Sequence, residues 1–149
     1  MHAFTSSLYH CVWSTKGRQP VLSPEIQKRL WPYLGGIARA NKVTALAFGG
    51  VADHTHALLS LPATLTISKV IQLLKGNSSK WLHEEFDELR AFSWQEGYGA
   101  FTIGMSGVAD TKNYIAKQAE HHRMKTFQEE FRSFLDKHGL SYDEATLWD

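Results

Sequence analysis

Val43-Thr44-Ala45-Leu46-Ala47-Phe48, the pair Gly49-Gly50, and then His54-Thr55-His56-Ala57-Leu58-Leu59-Ser60-Leu61 decide how this chain of 149 residues folds. Two apolar runs with a turn between them read as a β-hairpin, the first strand stopped by the glycines. Side chains alternate across a strand, so His54 and His56 project from one side and Thr55 from the other. Upstream, Phe4 to Thr15 is rich in β-branched and aromatic residues and reads as a long first strand, broken by Lys16-Gly17-Arg18-Gln19-Pro20. Ser23 before Pro24 and Glu25 marks a helix start. Ile26, Leu30, Tyr33, Leu34 and Ile37 then recur at helical spacing to about Asn41. Gly35-Gly36 weakens that helix and is expected to admit a close neighbour.

Downstream, Thr66 to about Phe86 reads as a second helix with Ile67, Val70, Ile71, Leu74, Trp81 and Leu82 inward. Gly76-Asn77-Ser78-Ser79, poor helix formers, are expected to interrupt its middle. Phe92 to Ile103 is strand-like, with a bulge or a close backbone approach at Gly97 and Gly99. Asp110 is placed to cap a third helix running to about Met124. Thr126 with Glu129 forms a capping box for a last helix ending near His138, with Gly139 beyond it. The order β-α-β-β-α-β followed by helices is a split βαβ arrangement. It predicts an α+β, ferredoxin-like fold: an antiparallel sheet, two helices on one face, the other face free for catalytic side chains, and C-terminal helices. With no repeat or linker, residues 1–149 are expected to form one domain.

Composition narrows the class. Hydrophobic residues make up 43% and charged residues 21%, as in a soluble globular protein rather than a disordered one. Met1-His2-Ala3-Phe4-Thr5 lacks the basic and apolar regions of a secretory signal, and no apolar run is long enough for a bilayer. A lone Cys11 makes no internal disulfide, so a reducing cytoplasm and no membrane association are expected. The net charge of +1 neither demands nor excludes DNA. Local cations matter more: Lys16, Arg18, Lys69, Lys75, Lys80, Lys112, Lys117, Arg123 and Lys125 lie near the motifs, while acids gather at Glu84–Glu88 and Glu129–Asp149.

The second informative stretch is Tyr114-Ile115-Ala116-Lys117-Gln118, followed by His121 and His122. Residues four apart share a helix face, which places Tyr114 with Gln118. Two imidazoles and an amide oxygen can hold a divalent cation beside a phenol, a set suited to cutting a phosphodiester through a covalent tyrosine intermediate. Imidazole and amide donors suit Mg²⁺ or Mn²⁺ less strongly than an all-carboxylate site would, and an imidazole site tolerates Mn²⁺, Co²⁺, Ni²⁺ and Zn²⁺ too, so several metals stay open. Taken singly, each residue has a plainer reading: His-x-His pairs are common, Tyr114 packs, Gln118 is solvated. Their shared faces are what join them.

These fragments together resemble the HUH single-tyrosine nucleases, and more closely the TnpA-type insertion-sequence transposases and their REP-associated relatives. Tyr9-His10-Cys11-Val12-Trp13-Ser14-Thr15-Lys16 and Arg18-Gln19-Pro20-Val21 are similar to the family's opening strand and turn. Asp53-His54-Thr55-His56 with Leu58 to Pro62 is similar to its HUH strand. Leu74-Lys75-Gly76-Asn77-Ser78-Ser79-Lys80 is similar to its second-helix segment, and Tyr114 to Gln118 to its nucleophile helix. Two residues depart from the pattern: Thr55 replaces a bulky apolar residue, and Ala52 stands where proline is common. The resemblance implies that His54, His56 and Gln118 bind the metal, Mg or Mn, and that Tyr114 attacks to give a 5′-phosphotyrosine with a free 3′-hydroxyl. It implies single-stranded DNA hairpins as substrate, a homodimer in which the tyrosine helix can be supplied in trans, and no nucleotide cofactor.

Residues around the motifs complete the expectations. Lys16, Arg18, Lys75, Asn77, Ser78, Lys80 and Lys125 are candidates to hold a hairpin backbone. His121 returns to the Tyr114 face and is a candidate reserve ligand or proton carrier, while His122 lies off that line and carries no role. Asp53 either shapes the turn or supports an imidazole. Trp13, Trp31, Trp81 and Trp94 are core residues or base-stacking platforms. Other functions stay open: a domesticated palindrome-processing relative, a non-catalytic ferredoxin-like nucleic-acid-binding module, and a small metallohydrolase using water.

Overall fold

Strand β1 (Leu8–Ser14) pairs antiparallel with β3 (His54–Ser60) on one side and with β4 (Gly99–Thr102) on the other. β2 (Thr44–Val51) closes the hairpin with β3, so the strand order is β2-β3-β1-β4, as a split βαβ unit requires. This computed structural model describes residues 1–122 and 124–148; Arg123 and Asp149, counted above among the charges, lie outside the described residues.

Helices α1 (Pro24–Ala40) and α2 (Ile67–Glu85) cover one face. Ser23 caps α1 by accepting from the Ile26 amide at 3.3 Å, and Thr66 caps α2 by accepting from the Lys69 amide at 3.1 Å. Between helices and sheet lies the main core, with Cys11, Trp13, Ala57 and Leu59 from the strands against Leu30, Leu34, Val70, Ile71 and Leu74. Trp81 stacks on Tyr33 at a centroid distance of 4.3 Å, and Trp13 and Trp94 are buried, so these three serve packing. Burial among apolar neighbours pushes the Cys11 thiol up to about 12 and leaves it inert.

Several boundaries differ from expectation, each for a local reason. The first strand starts at Leu8 rather than Phe4, because Leu8 pairs with Ser60, the last residue of β3; beyond it a single backbone bond, from the Leu61 amide to the Ser7 carbonyl at 2.9 Å, ends the pairing. The last strand holds only Gly99–Thr102, since Phe92 and Trp94 instead turn into the main core. Helix α2 is not interrupted: Ser78 donates back to the Lys75 carbonyl at 3.2 Å and accepts from the Trp94 indole at 3.0 Å. Gly35 and Gly36 admit no close neighbour, as a Cβ on either would meet nothing within 4 Å. Gly99 has the close approach expected of it, a Cβ there lying 2.8 Å from the Phe131 ring, whereas Gly97 has none. Close approaches also occur at Gly49 and Gly50, which continue β2 rather than stopping it. A Cβ at Gly50 would lie 2.2 Å from the His54 carbonyl oxygen, and one at Gly49 2.8 Å from the carbonyl oxygen of Ile115.

The largest correction concerns the second face of the sheet, which is covered rather than free. Residues His10, Val12, His54, His56 and Leu58 are buried there beneath α3 (Val108–Ala116), α4 (Gln118–His121) and α5 (Phe127–Lys137). α5 brings Phe127, Phe131, Phe134 and Leu135 onto Val12 and Phe101, a second, smaller core. Its capping box forms as expected, Thr126 accepting from the Glu129 amide at 3.2 Å, and Gly139 follows it at φ +67°. The helix expected from Asp110 to Met124 starts earlier and breaks. Gly107 precedes α3 without a side-chain cap, Asp110 lies in the first turn, and Lys117 (φ −102°, ψ 22°) separates α3 from the single turn α4.

Thr55 faces the main core opposite Trp13, fully buried, and its hydroxyl has no hydrogen-bond partner among the described residues. An unmatched buried hydroxyl costs about 1–3 kcal/mol. Thr55→Val keeps the shape and removes that penalty. It is expected to raise stability by about 1 kcal/mol and the melting temperature by about 2–4 °C, read by thermal unfolding.

Candidate active site

His54 and His56 reach the covered face because β3 alternates, and their backbone partners set the site's walls. His56 lies opposite Val12 on one side and Gly49 on the other; His54 lies opposite Ser14 and Val51. With no Cβ at Gly49, the Ile115 backbone settles onto β2. That seats Tyr114 and Gln118, which flank Ile115, beside the imidazoles. The break at Lys117 changes how they share a face: Gln118 Nε2 donates back to the Tyr114 carbonyl at 3.3 Å, and Gln118 Oε1 turns to His54 Nε2 at 3.3 Å. The Tyr114 ring lies 5.8 Å from the His56 ring within the same chain.

A buried carboxylate that the motifs do not contain joins them. Glu130 of α5 places Oε1 3.0 Å from His56 Nε2 and 3.5 Å from His54 Nε2. Its Oε2 accepts from the Tyr114 hydroxyl and faces His122 Nε2 at 3.1 Å. The phenol also meets His121 Nε2 at 3.1 Å. Each imidazole is aimed from behind. Asp53, in the β2–β3 turn, takes the His54 Nδ1 hydrogen bond at 2.6 Å, and His10 Nε2 pairs with His56 Nδ1 at 2.8 Å. Partners of that kind fix ring orientation and leave Nε2 free to point into the site.

The charges follow from this packing. Burial lowers His54, yet the hydrogen bonds it donates to Asp53 and Glu130 outweigh it and push the imidazole up to about 9. Burial dominates at His56, held at about 4 despite Glu130, and at His10, held at about 3 beside His56. Burial raises the Tyr114 phenol, and its hydrogen bond to Glu130 raises it further. Glu130 is opposed by burial, but hydrogen bonds from His122, His54 and His56 hold it well below the usual carboxylate range. Burial lowers His121.

These shifts give the metal-free protein a stability maximum near the ordinary histidine pKa of about 6.5. Below it, the unfolded chain binds protons that folded His10 and His56 refuse, and below about 4.5 the Glu130 contribution fades as well. Above it, the His54 contribution is lost as pH rises through about 9. Urea unfolding between pH 4 and pH 9 is expected to show this peak, with each unmatched proton worth about 1.4 kcal/mol per pH unit.

The donors suit a divalent cation. Atoms bound to one such ion at about 2.1 Å stand roughly 3.0–3.5 Å apart. The separations among His54 Nε2, His56 Nε2, Glu130 Oε1 and Gln118 Oε1 quoted above fall in that range. One donor atom each from His54, His56, His122 and Glu130 all lie within 4.8 Å of one another.

Other expected site residues are placed elsewhere. Lys125 is partly exposed and donates to Ser133 Oγ at 3.1 Å. It lines, with Tyr114, Lys117 and His121, an open cleft of about 570 Å³. Lys16, Asn77 and Lys80 are exposed, and the Arg18 guanidinium lies 5.4 Å over the Trp148 ring. Two expected DNA contacts are corrected. Ser78 is fully buried against Trp94, and Lys75 spends its ammonium on the carbonyls of Gln95 and Gly97 at 2.6 and 2.8 Å. His10, His122 and Glu130 are the residues that motif reading missed. Glu130 did carry a signal, as a lone carboxylate on the apolar stripe of Phe127, Phe131 and Phe134. His10 and His122 carried none, because only the folded chain brings them near β3.

Comparison with known proteins gives the family. Residues 3–118 match the family model described as transposase IS200 like. Over 129 residues the chain is 31% identical to the transposase for insertion sequence element IS200 of Salmonella typhimurium, covering 83% of this chain and 84% of that protein. It is 28% identical over 115 residues to the ISDra2 transposase TnpA of Deinococcus radiodurans, covering 74% of this chain and 82% of that one. A crystal structure of a protein described as a transposase from Deinococcus radiodurans R1 superposes with TM-score 0.66 at 27% identity, over 79% of this chain and 95% of the other. The structure of a REP-associated tyrosine transposase bound to a REP hairpin superposes with TM-score 0.62 over 82% of this chain and 72% of that one; at 14% identity the likeness is one of fold.

Proposed function

Because the chain belongs to the IS200-like transposase family, we propose that it nicks and rejoins single-stranded DNA at hairpin-bearing ends through a 5′-phosphotyrosine on Tyr114. The observation that carries this reading is the Tyr114 phenol packed into one cluster with the buried His54 and His56 and with Gln118.

Tyr114 Oη attacks the phosphorus, and the bond to the 3′ oxygen breaks to leave a 3′-hydroxyl. The phenolic proton has a receiver in contact, His121 Nε2, whose lowered pKa favours the neutral ring that can accept it. A divalent cation, Mg²⁺ or Mn²⁺, held by His54, His56 and Gln118 would offset the phosphate's charge as the transition state forms. Attack by a new 3′-hydroxyl reverses the step. One phosphoester replaces a similar one, so no nucleotide cofactor is needed.

The 5.8 Å between the rings of Tyr114 and His56 supports a tyrosine acting on its own chain's histidines. Exchange between two ends needs two nucleophiles, which favours a homodimer. A hairpin is what the REP-associated transposase of similar fold holds. For this chain we assign the backbone contacts of such a hairpin to Lys16, Arg18, Asn77, Lys80 and Lys125. DNA as substrate places the working protein in the cytoplasm, and no helix among the described residues is long and apolar enough to cross a membrane.

The test traps the intermediate. The protein is mixed with 3′-labelled single-stranded hairpins from DNA flanking its gene, with Mn²⁺ or Mg²⁺, and run on a denaturing gel. Label is expected to migrate with the protein, and to be lost in Tyr114→Phe or with a chelator. Metal-dependent cutting that survives Tyr114→Phe without an adduct would instead mean a water-using hydrolase. Hairpin binding with neither cutting nor adduct would mean a non-catalytic module.

A further inference from the structure

Glu130 enters the site from α5 and is buried among His54, His56, His122 and Tyr114. One oxygen points at the histidine nitrogens that suit a cation, and the other receives the phenol. A scissile phosphodiester needs the same two contacts, one terminal oxygen toward the cation and the phosphorus beside the phenol. Carboxylate and phosphodiester each carry one negative charge and present two terminal oxygens. One can replace the other without altering the charge of the site.

The site has no room for both. His54 and His56 are 0% exposed and Gln118 1% exposed, so a DNA phosphate meets none of them while α5 lies on the sheet. The helix is attached through a small core of its own, in which Phe127, Phe131, Phe134 and Leu135 pack on Val12 and Phe101. The main core beneath α1 and α2 lies on the other side of the sheet. α5 can therefore lift without opening the main core.

We propose that Glu130 is an exchangeable ligand: it holds the cation and the phenol in the resting protein, and the scissile phosphate takes its place as α5 withdraws. The inference rests on the nicking function proposed above. It differs from a permanent ligand set in making the same carboxylate favourable to the cation and competitive with DNA.

Two measurements on the full chain read those opposite effects. Mn²⁺ binding is followed by the electron paramagnetic resonance of the free ion, for the parent protein, Glu130→Gln and His54→Ala. Dimethyl phosphate, the simplest phosphodiester, is then titrated at matched Mn²⁺ occupancy and followed by ³¹P line broadening. Glu130→Gln is expected to weaken Mn²⁺ binding by about tenfold or more. It is expected to tighten dimethyl phosphate binding by about tenfold, because a competing internal anion has gone. Unchanged Mn²⁺ affinity would overturn the proposal, and so would weaker Mn²⁺ binding with no gain for the phosphodiester. Should Glu130→Gln lose its native circular dichroism, Glu130→Asp, shorter by one methylene, is expected to move both affinities in the same directions. No movement of either in Glu130→Asp overturns the proposal as well. His54→Ala isolates the underlying reading: Mn²⁺ binding equal to the parent's removes the histidine site itself, whatever Glu130 does.

Discussion

Replacing His56 by Ala is expected to lower the yield of the Tyr114–DNA adduct by about three orders of magnitude, the equivalent of roughly 4 kcal/mol of transition-state stabilisation. His56 is fully buried, and its position between Val12 and Gly49 leaves its ring one direction to point. Nδ1 is held by His10, and Nε2 faces Glu130. Burial keeps the ring largely uncharged at neutral pH, the form in which an imidazole donates a lone pair to a cation. Alanine removes that lone pair and leaves both His10 and Glu130 short of a partner, a structural cost of about 1–3 kcal/mol. The two effects separate experimentally. Urea unfolding and circular dichroism report the structural cost, while adduct yield on a labelled hairpin and Mn²⁺ binding report the site. A folded His56→Ala protein that forms adduct at the parent rate would place the cation elsewhere and end the two-histidine reading.

Gly49→Val is expected to cut adduct formation by about a hundredfold without replacing any residue of the cluster. A Cβ there would lie 2.8 Å from both the Ile115 side chain and its carbonyl oxygen, and valine adds two methyl groups beyond it. The backbone of α3 has to retreat, and Tyr114 and Gln118 retreat with it. Displacement of reacting groups by about 1 Å costs on the order of a hundredfold in rate, and overpacking a site of this kind costs about 1–3 kcal/mol of stability. The histidines of β3 keep their own ladder, so Mn²⁺ binding is expected to fall far less than adduct yield. The control is Gly35→Ala, at a position where a Cβ meets nothing within 4 Å. Its adduct yield is expected to match the parent's, and a Gly49→Val protein that also matches would mean that α3 is not held in place by this approach.

The expected order of elements matches the observed one, because periodicity and capping are local. Ser23, Thr66 and Thr126 each cap the helix their neighbours imply, and the β2–β3 hairpin follows from two adjacent apolar runs, though it turns at Ala52-Asp53 rather than at Gly49-Gly50. His54 and His56 share a face because a strand alternates. Errors came where a neighbour distant in sequence decides the outcome. Ser78 reads as a polar interruption until Trp94, sixteen residues on, supplies the partner that lets it stay buried in a continuous helix. The strand expected over Phe92 to Ile103 shrinks because a core built by α1 and α2 claims Phe92 and Trp94.

The site divides along the same line. Two histidines two apart, and a tyrosine four residues before a glutamine, are short-range patterns that backbone geometry converts directly into shared faces. Glu130, His10 and His122 are separated from His56 by 74, 46 and 66 positions, spacings that carry no period. Only folding shows that the second face of the sheet is closed, that α5 delivers a carboxylate to the imidazoles, and that one anion touches both the cation donors and the phenol. Burial makes the difference physical. Local propensity sets which elements form, but the charge, protonation and accessibility of these side chains depend on what packs over them, and what packs over them comes from the far end of the chain.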